Sequence, residues 1–363
     1  MALKCGLVGL PNVGKSTLFN ALTQAGVAAE NFAFCTVDPH TGVVAIPDQR
    51  LENLASLVRP QKIVPATMEF IDIAGLVKGA AEGEGLGNQF LANIRETQAI
   101  IHLLRGFTNE DISHIEQKVD PLSDMEIINT ELSLADLAVA EKAKQKHERK
   151  ANSGDKEARA LSALLQDKVL PCLNSGNALG SVAWTKEEVE ALKPFCFLTM
   201  KQVIYVINQS DDPKTNLDTS VLEERILAEG NRWIKINAQL EAELAELNVE
   251  DKKEFLAELG LEEPALNRLI RCAYELLSLH NFFTAGPTEA HAWTIPQGSN
   301  AQQAAGVIHT DFARLFIRAE VVKYDDFIAC GGEQGAKKKG LWRLEGKDYV
   351  VQDGDVMYFR TGA

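Results

Sequence analysis

The chain of 363 residues is 45% hydrophobic and 24% charged, and it carries a net charge of −14. Such a composition describes a globular protein too long for one ordinary core, so two or three domains are expected. No apolar run suffices to span a bilayer, the acidic balance argues against wholesale polyanion binding, and six scattered cysteines without a C-x-x-C pair fit a reducing cytoplasm and argue against zinc.

An apolar run from Leu3 to Val8 leads into Gly9-Leu10-Pro11-Asn12-Val13-Gly14-Lys15-Ser16, and a helical run follows from Ser16 to Ala25. Strand, glycine-rich turn and helix in that order make G-x-x-x-x-G-K-[ST] a phosphate cradle. The same continuity makes the N-terminus a poor signal peptide. Glycines at both ends let the backbone curl, so that residues Asn12, Val13, Gly14, Lys15, Ser16 and Thr17 surround one anion at a helix N-terminus. Lys15 is expected to reach the β/γ-phosphates and Ser16 to ligate Mg²⁺. Asn12 is a candidate ligand for a monovalent cation such as K⁺, whose charge would replace an arginine finger.

Downstream elements supply the rest of the cradle in order. Thr36 can place its hydroxyl on Mg²⁺ and its N–H on the γ-phosphate, in a loop ordered only while that phosphate is present. Met68 to Gly75 reads as a buried strand ending in D-x-x-G, with Asp72 supporting Mg²⁺ and Gly75 sensing the γ-phosphate. The glycine-rich stretch Lys78 to Gly87 follows. These parts define a switch NTPase more than a small-molecule kinase, which needs an acceptor pocket and an arginine-rich lid. Leu76 stands where Ras-like switches carry the glutamine that orients water, so another group must do so or turnover is slow. His114, in a loop after the apolar strand Ala99 to Leu104, is a candidate, with a structural histidine as the alternative. His102, inside the strand, reads as a core residue.

A parallel crossover needs about a dozen residues. The far longer interval from Arg105 to Val203 therefore contains an insertion, placed at 122–200. Ile128, Leu132, Ala135 and Val139 form a helical stripe, Asn152 to Asp155 a turn, and Leu161, Leu164 and Leu165 resume the stripe, which predicts an antiparallel helical hairpin. Its tip gathers Lys142, Lys144, Lys146, Arg149, Lys150, Lys156 and Arg159. Lys142, Lys146, Arg149 and Lys150 are the candidate contacts to RNA phosphates, against the alternative of a solvated face.

The strand Val203 to Ile207 runs into Asn208-Gln209-Ser210-Asp211, where guanine-binding proteins use N-K-x-D. Asn208 and Asp211 are expected to face the base. Asp211 suits guanine, whereas Gln209 lacks the lysine stem that lies along it, so the base is unsettled from chemistry alone. Asn237-Ala238-Gln239 reads as the last nucleotide loop. Helical runs follow from Glu241 to Leu259 and from Pro264 to about Leu279. The chain then switches to short strands, Ala290 to Ile295, Phe316 to Val322, Tyr349 to Val351 and Val356 to Arg360, with a short helix starting at Asn300 to Ala305. A β-grasp domain fits. Lys337 to Lys339 and Trp342 suit nucleic acid, or equally a turn and a core tryptophan.

The phosphate loop, Asp72-Ile-Ala-Gly75-Leu-Val-Lys78, Gly83 to Glu96, Asn208 to Asp211 and Ile308-His-Thr-Asp-Phe312 together resemble the YchF-type, Obg-like ATPases over essentially the whole chain. The resemblance implies an α/β fold. It comprises a P-loop NTPase domain (1–280) with a mostly parallel sheet, interrupted by a coiled-coil arm (122–200), and a C-terminal TGS-type β-grasp domain (281–363). It also implies a translation-factor-class enzyme that prefers ATP to GTP, lacks the catalytic glutamine, associates with ribosomes and has activity linked to potassium. The family commonly shows a glutamate where this chain has Asp211, which leaves ATP and GTP both open. The expected function is a cytoplasmic, Mg²⁺-dependent ATPase (GTP possible) gating ribosome or RNA binding. The competing expectations are a nucleotide-gated RNA-binding module with incidental hydrolysis and a small-molecule phosphotransferase.

Overall fold

The computed structural model describes residues 3–25, 40–73, 86–114 and 118–362. Its strands in chain order are β1 (Lys4–Val8), β2 (Thr41–Ala45), β3 (Lys62–Val64), β4 (Thr67–Asp72), β5 (Ala99–Arg105), β6 (Gln202–Asn208), β7 (Arg232–Ile236), β8 (Leu279–Ala285), β9 (Glu289–Pro296), β10 (Phe316–Lys323), β11 (Arg343–Glu345) and β12 (Asp355–Thr361). They form two sheets, ordered β2-β4-β1-β5-β6-β7 and β11-β10-β12-β8-β9-β3.

In the first sheet β4, β1, β5, β6 and β7 run parallel. The central strands β1, β5 and β6 are mostly apolar and buried, as in a parallel sheet covered on both faces; every residue of β5 is buried. Burial holds the His102 imidazole neutral, with its pKa lowered to about 3, beside the Tyr205 ring at 5.1 Å. The core-residue expectation for His102 is the one the structure follows. All parallel strands of this sheet end on the same edge, where ligands of open α/β sheets bind.

The insertion is a helical arm. Helix Pro121–Asn152 turns at Ser153 to Asp155 into helix Lys156–Leu164, continued through a π-helical turn, Leu165–Val169, to Asn174. Asp120 and Asp155 cap the two helices. Ala140 and Ala143 pack against Leu165, Val169, Leu173 and Leu192 in a core belonging to the arm itself. At the arm's base, buried Asp136 accepts hydrogen bonds from Leu198 N at 2.9 Å and from Thr199 N and Oγ1, each at 2.8 Å.

The second sheet is mixed: β12 runs parallel to β8 and β3 to β9, and the other pairs are antiparallel. Helix Ala301–Ile308, with Asn300 closing a capping box, packs Ala301 and Ala304 against Phe282, Val321 and Met357. The strands expected at 290–295, 316–322 and 356–360 are present, but 349–351 makes only an isolated bridge at Val350 to Asn300. Leu279, expected to end a helix, opens β8, and the helix stops at Leu276.

Compactness divides the chain into Met1–Val44 with Glu69–Leu269, and Ala45–Met68 with Ile270–Ala363. This departs from a single boundary at 280. The physical reason is that segment 45–68 contributes β3 to the edge of the second sheet and helix Gln49–Val58, whose Arg50 bonds Asp353 at 2.7 Å. Lys337 lies 4.8 Å over the Trp342 ring, and Trp342 Nε1 donates to Glu320 Oε2 at 2.9 Å, so both are engaged within this sheet.

Candidate nucleotide site

The loop between β1 and helix Lys15–Ala25 is shaped by two left-handed residues, Asn12 (φ 64°) and Gly14 (φ 96°). Asparagine is among the few side chains that tolerate this region, and glycine enters it freely. Gly9 is needed for a different reason: a Cβ there would sit 2.8 Å from Leu103 O on β5. The loop borders a cavity of about 770 Å³, lined by Asn12, Gly14, Lys15, Ser16 and Thr17 and by Asn208, Gln209, Ser210 and Asp211. Phe107, Asn109 and Ile112 contribute a wall, and Asn237, Ala238 and Gln239 complete it. The volume falls in the range of small-molecule and cofactor sites.

Sequence-distant groups meet here. Lys15 Nζ donates to Asp72 Oδ1, which brings the carboxylate at the end of β4 to the residue preceding Ser16. A serine hydroxyl and an aspartate carboxylate are the oxygen donor types that a hard divalent cation takes. Thr36, Gly75, Leu76 and most of the glycine-rich stretch after Lys78 lie outside the described residues.

Asn208 lines the cavity and has a second task beside the expected one. It is 5% exposed, its Nδ2 donates to Val13 O at 2.9 Å, and its Oδ1 accepts from Ala238 N at 3.0 Å. It braces the phosphate loop against the loop after β7, because a buried amide is stable only when both ends are bonded. Asp211 is exposed at the cavity, where Asn237 Nδ2 donates to its Oδ1. Asn237 Oδ1 in turn caps helix Ala238–Glu246, accepting from Gln239 N and Leu240 N at 3.1 Å each.

Asn12 donates through Nδ2 to Ser113 O and Oγ at 3.2 and 3.3 Å. His114 is turned inward: its side chain is 4% exposed and Nε2 lies 3.0 Å from Asp124 Oδ2. It does not stand in solvent as a loop histidine would.

Sequence reasoning passed over Arg105, the largest fully buried side chain among the described residues. Its guanidinium donates to Phe107 O, Asn109 O and Ile112 O at 3.1 to 3.2 Å, so it organises the cavity wall from beneath. An arginine closing an otherwise apolar strand was the available signal, since a buried charge demands dedicated partners. Asn237 also carried one, an asparagine directly before a helical run.

At the arm's tip Lys142, Lys146, Arg149 and Lys150 are all exposed, and none makes an ion pair among the described residues.

A family model described as "50S ribosome-binding GTPase" matches residues 4–134, and one described as "Protein of unknown function (DUF933)", the C-terminal YchF-GTPase model, matches residues 279–362. The chain is 55% identical over 361 residues to the "Ribosome-binding ATPase YchF" of Haemophilus influenzae, covering 99% of both. Proteins of the same name from Escherichia coli O157:H7 and Bacillus subtilis are 54% and 48% identical, again over 99% of each chain. Among solved structures, that of the Schizosaccharomyces pombe YchF GTPase superposes with a TM-score of 0.89 at 35% identity, covering 99% of this chain and 97% of the other.

Proposed function

The chain belongs to the YchF family, and from that premise we propose that it is a Mg²⁺-dependent ATPase, with GTP as a second substrate, whose nucleotide state governs ribosome binding. The relatives' shared description as ribosome-binding ATPases supports the activity and the partner. The observation that carries the chemistry is the pairing of Asp72 with Lys15, which lines the cavity together with Ser16.

In this reading the amides of residues 12–17 and the helix N-terminus hold the β- and γ-phosphates. Lys15 moves from Asp72 to the phosphates and neutralises the charge that develops on transfer. Ser16, Asp72 and, from outside the described residues, Thr36 would hold Mg²⁺. When bound, that ion would supply positive charge against the negative charge that develops on the phosphates. Asn12 Oδ1 is the ligand assigned to K⁺. Asp211, steadied by Asn237, reads the base edge, and His114 orients water in place of the absent glutamine. Gly75 senses the terminal phosphate. The basic tip of the arm, with Lys142, Lys146, Arg149 and Lys150, contacts ribosomal RNA. The cytoplasm is the compartment this reading requires, and among the described residues no helix is long and apolar enough to cross a membrane.

The exposed, unpaired cations of the tip also favour a second reading, a nucleotide-gated RNA-binding module in which hydrolysis is incidental. Single-turnover rates with [γ-³²P]ATP, measured with and without ribosomes, separate the two. An ATPase speeds up on its partner and releases free phosphate; a rate that stays negligible in both conditions selects the module. Phosphate recovered on another small molecule would favour a phosphotransferase instead.

A further inference from the structure

Asp124 lies in the first turn of the arm helix Pro121–Asn152, and its side chain is 1% exposed. A carboxylate so buried requires partners, because desolvation of an ion is costly. One partner is the ring of His114, through Nε2 at 3.0 Å. Another is Arg105, for which Asp124 supplies the opposing charge that counters burial. Arg105 pins three carbonyls of the loop that walls the nucleotide cavity, and Ser113, the neighbour of His114, holds Asn12 of the phosphate loop. The direct hydrogen bond of this acid is to the ring of His114, whereas the wall is held by Arg105's own bonds to three carbonyls.

We propose that Asp124 is a positioning residue for nucleotide hydrolysis, acting through His114: it holds the ring by Nε2, so that Nδ1 is the nitrogen that handles the attacking water. The proposal rests on the assignment of His114 made above. A carboxylate on one ring nitrogen selects the tautomer and orientation of the other, and its amide replacement can keep the shape while losing the correct tautomer. Asp124 itself touches neither nucleotide nor water in this scheme. Its effect must therefore vanish when His114 is absent.

That dependence is the test. Asp124→Asn, His114→Ala and the double variant are compared in the full chain by kcat at saturating ATP and by affinity for a nonhydrolysable ATP analogue. The expected result is a kcat at least about tenfold lower in Asp124→Asn, analogue affinity within twofold of wild type, and a double variant no slower than His114→Ala alone. Losses that multiply in the double variant, or an unchanged kcat in Asp124→Asn, overturn the proposal. Should Asp124→Asn fail to fold, the histidine ¹H–¹⁵N spectrum of the wild-type chain decides. A His114 ring fixed with its proton on Nε2 supports the hold, and averaged tautomers overturn it. If the wild-type chain hydrolyses no ATP at all, the enzymatic reading fails, and the mechanistic proposal with it, whatever the spectrum reports of the contact.

Discussion

Gly14 and Asn208 compete for one space: a Cβ on Gly14 would lie 2.3 Å from Asn208 Nδ2, the atom that donates to Val13 O. The glycine therefore does more than allow a left-handed turn. It lets the end of β6 grip the phosphate loop directly, and the same amide carries that grip to Ala238. Asn208→Ala should loosen both loops. Leaving a buried backbone group unpaired costs about 1–3 kcal/mol, so one such loss felt in binding should lower affinity for an ATP analogue roughly 5- to 150-fold. Gly14→Ala should lose at least as much, since it displaces the brace and strains the backbone. Calorimetric titration checks both; wild-type affinity in Asn208→Ala would show that the brace is dispensable.

Lys15 and Asp72 separate two contributions to binding. Lys15→Ala removes the cation that meets the β/γ-phosphates and should reduce triphosphate affinity by more than about tenfold, with or without Mg²⁺. Asp72→Asn should instead abolish only the gain in affinity that Mg²⁺ confers. Titrations in Mg²⁺ and in EDTA distinguish the pair. Equal losses in both buffers for Asp72→Asn would remove Asp72 from the metal site.

The phosphate loop was legible because strand, glycines, lysine and helix are consecutive, so local sequence fixes their geometry. Asp72 was legible for a similar reason, as the polar end of an apolar strand. What escaped were roles set by long-range contact. The side chain of Asn208 is bonded to Val13 and Ala238, which no local pattern can reveal. Arg105 looks like a strand end until the folded loop supplies three carbonyls for it. The arm was readable from its stripe and turn, whereas segment 45–68 was not assigned. Its place in the second sheet depends on β3 pairing with β9, far away in sequence, and a three-residue strand carries almost no period.

That same segment makes the second unit sensitive to acid. Burial alone would raise the Asp48 pKa, but hydrogen bonds and charge from Arg50 together with the Asn281 amide outweigh it and hold the carboxyl below its ordinary value of 3.8. A folded value below the unfolded one means stability that is present above pH 3.8 and is lost as pH falls through the folded value. Asp48→Asn should lower stability at neutral pH by about 1.5–3 kcal/mol, the range for hydrogen bonds to charged groups. It should also flatten the acid limb of the stability curve below pH 4. Urea unfolding at pH 7 and along an acid series reads both effects, and an acid limb unchanged in the variant would assign the sensitivity to another carboxyl.

The exposed cations of the arm tip are placed to act together. Lys142, Lys146, Arg149 and Lys150 lie within about three turns of one helix, near its C-terminal end, on a chain that is otherwise strongly acidic. A local patch of this kind binds phosphates by releasing their counterions, so its contribution falls linearly with the logarithm of salt concentration. Reversing two charges, Lys146→Glu with Arg149→Glu, should weaken cosedimentation with ribosomes at least about tenfold at low salt and reduce the salt slope by about two. Nucleotide affinity should stay at the wild-type value, because the tip supplies none of the cavity's lining. If ribosome binding and its slope both remain unchanged, the tip is only a solvated helix face, and the partner must be recognised elsewhere on the chain.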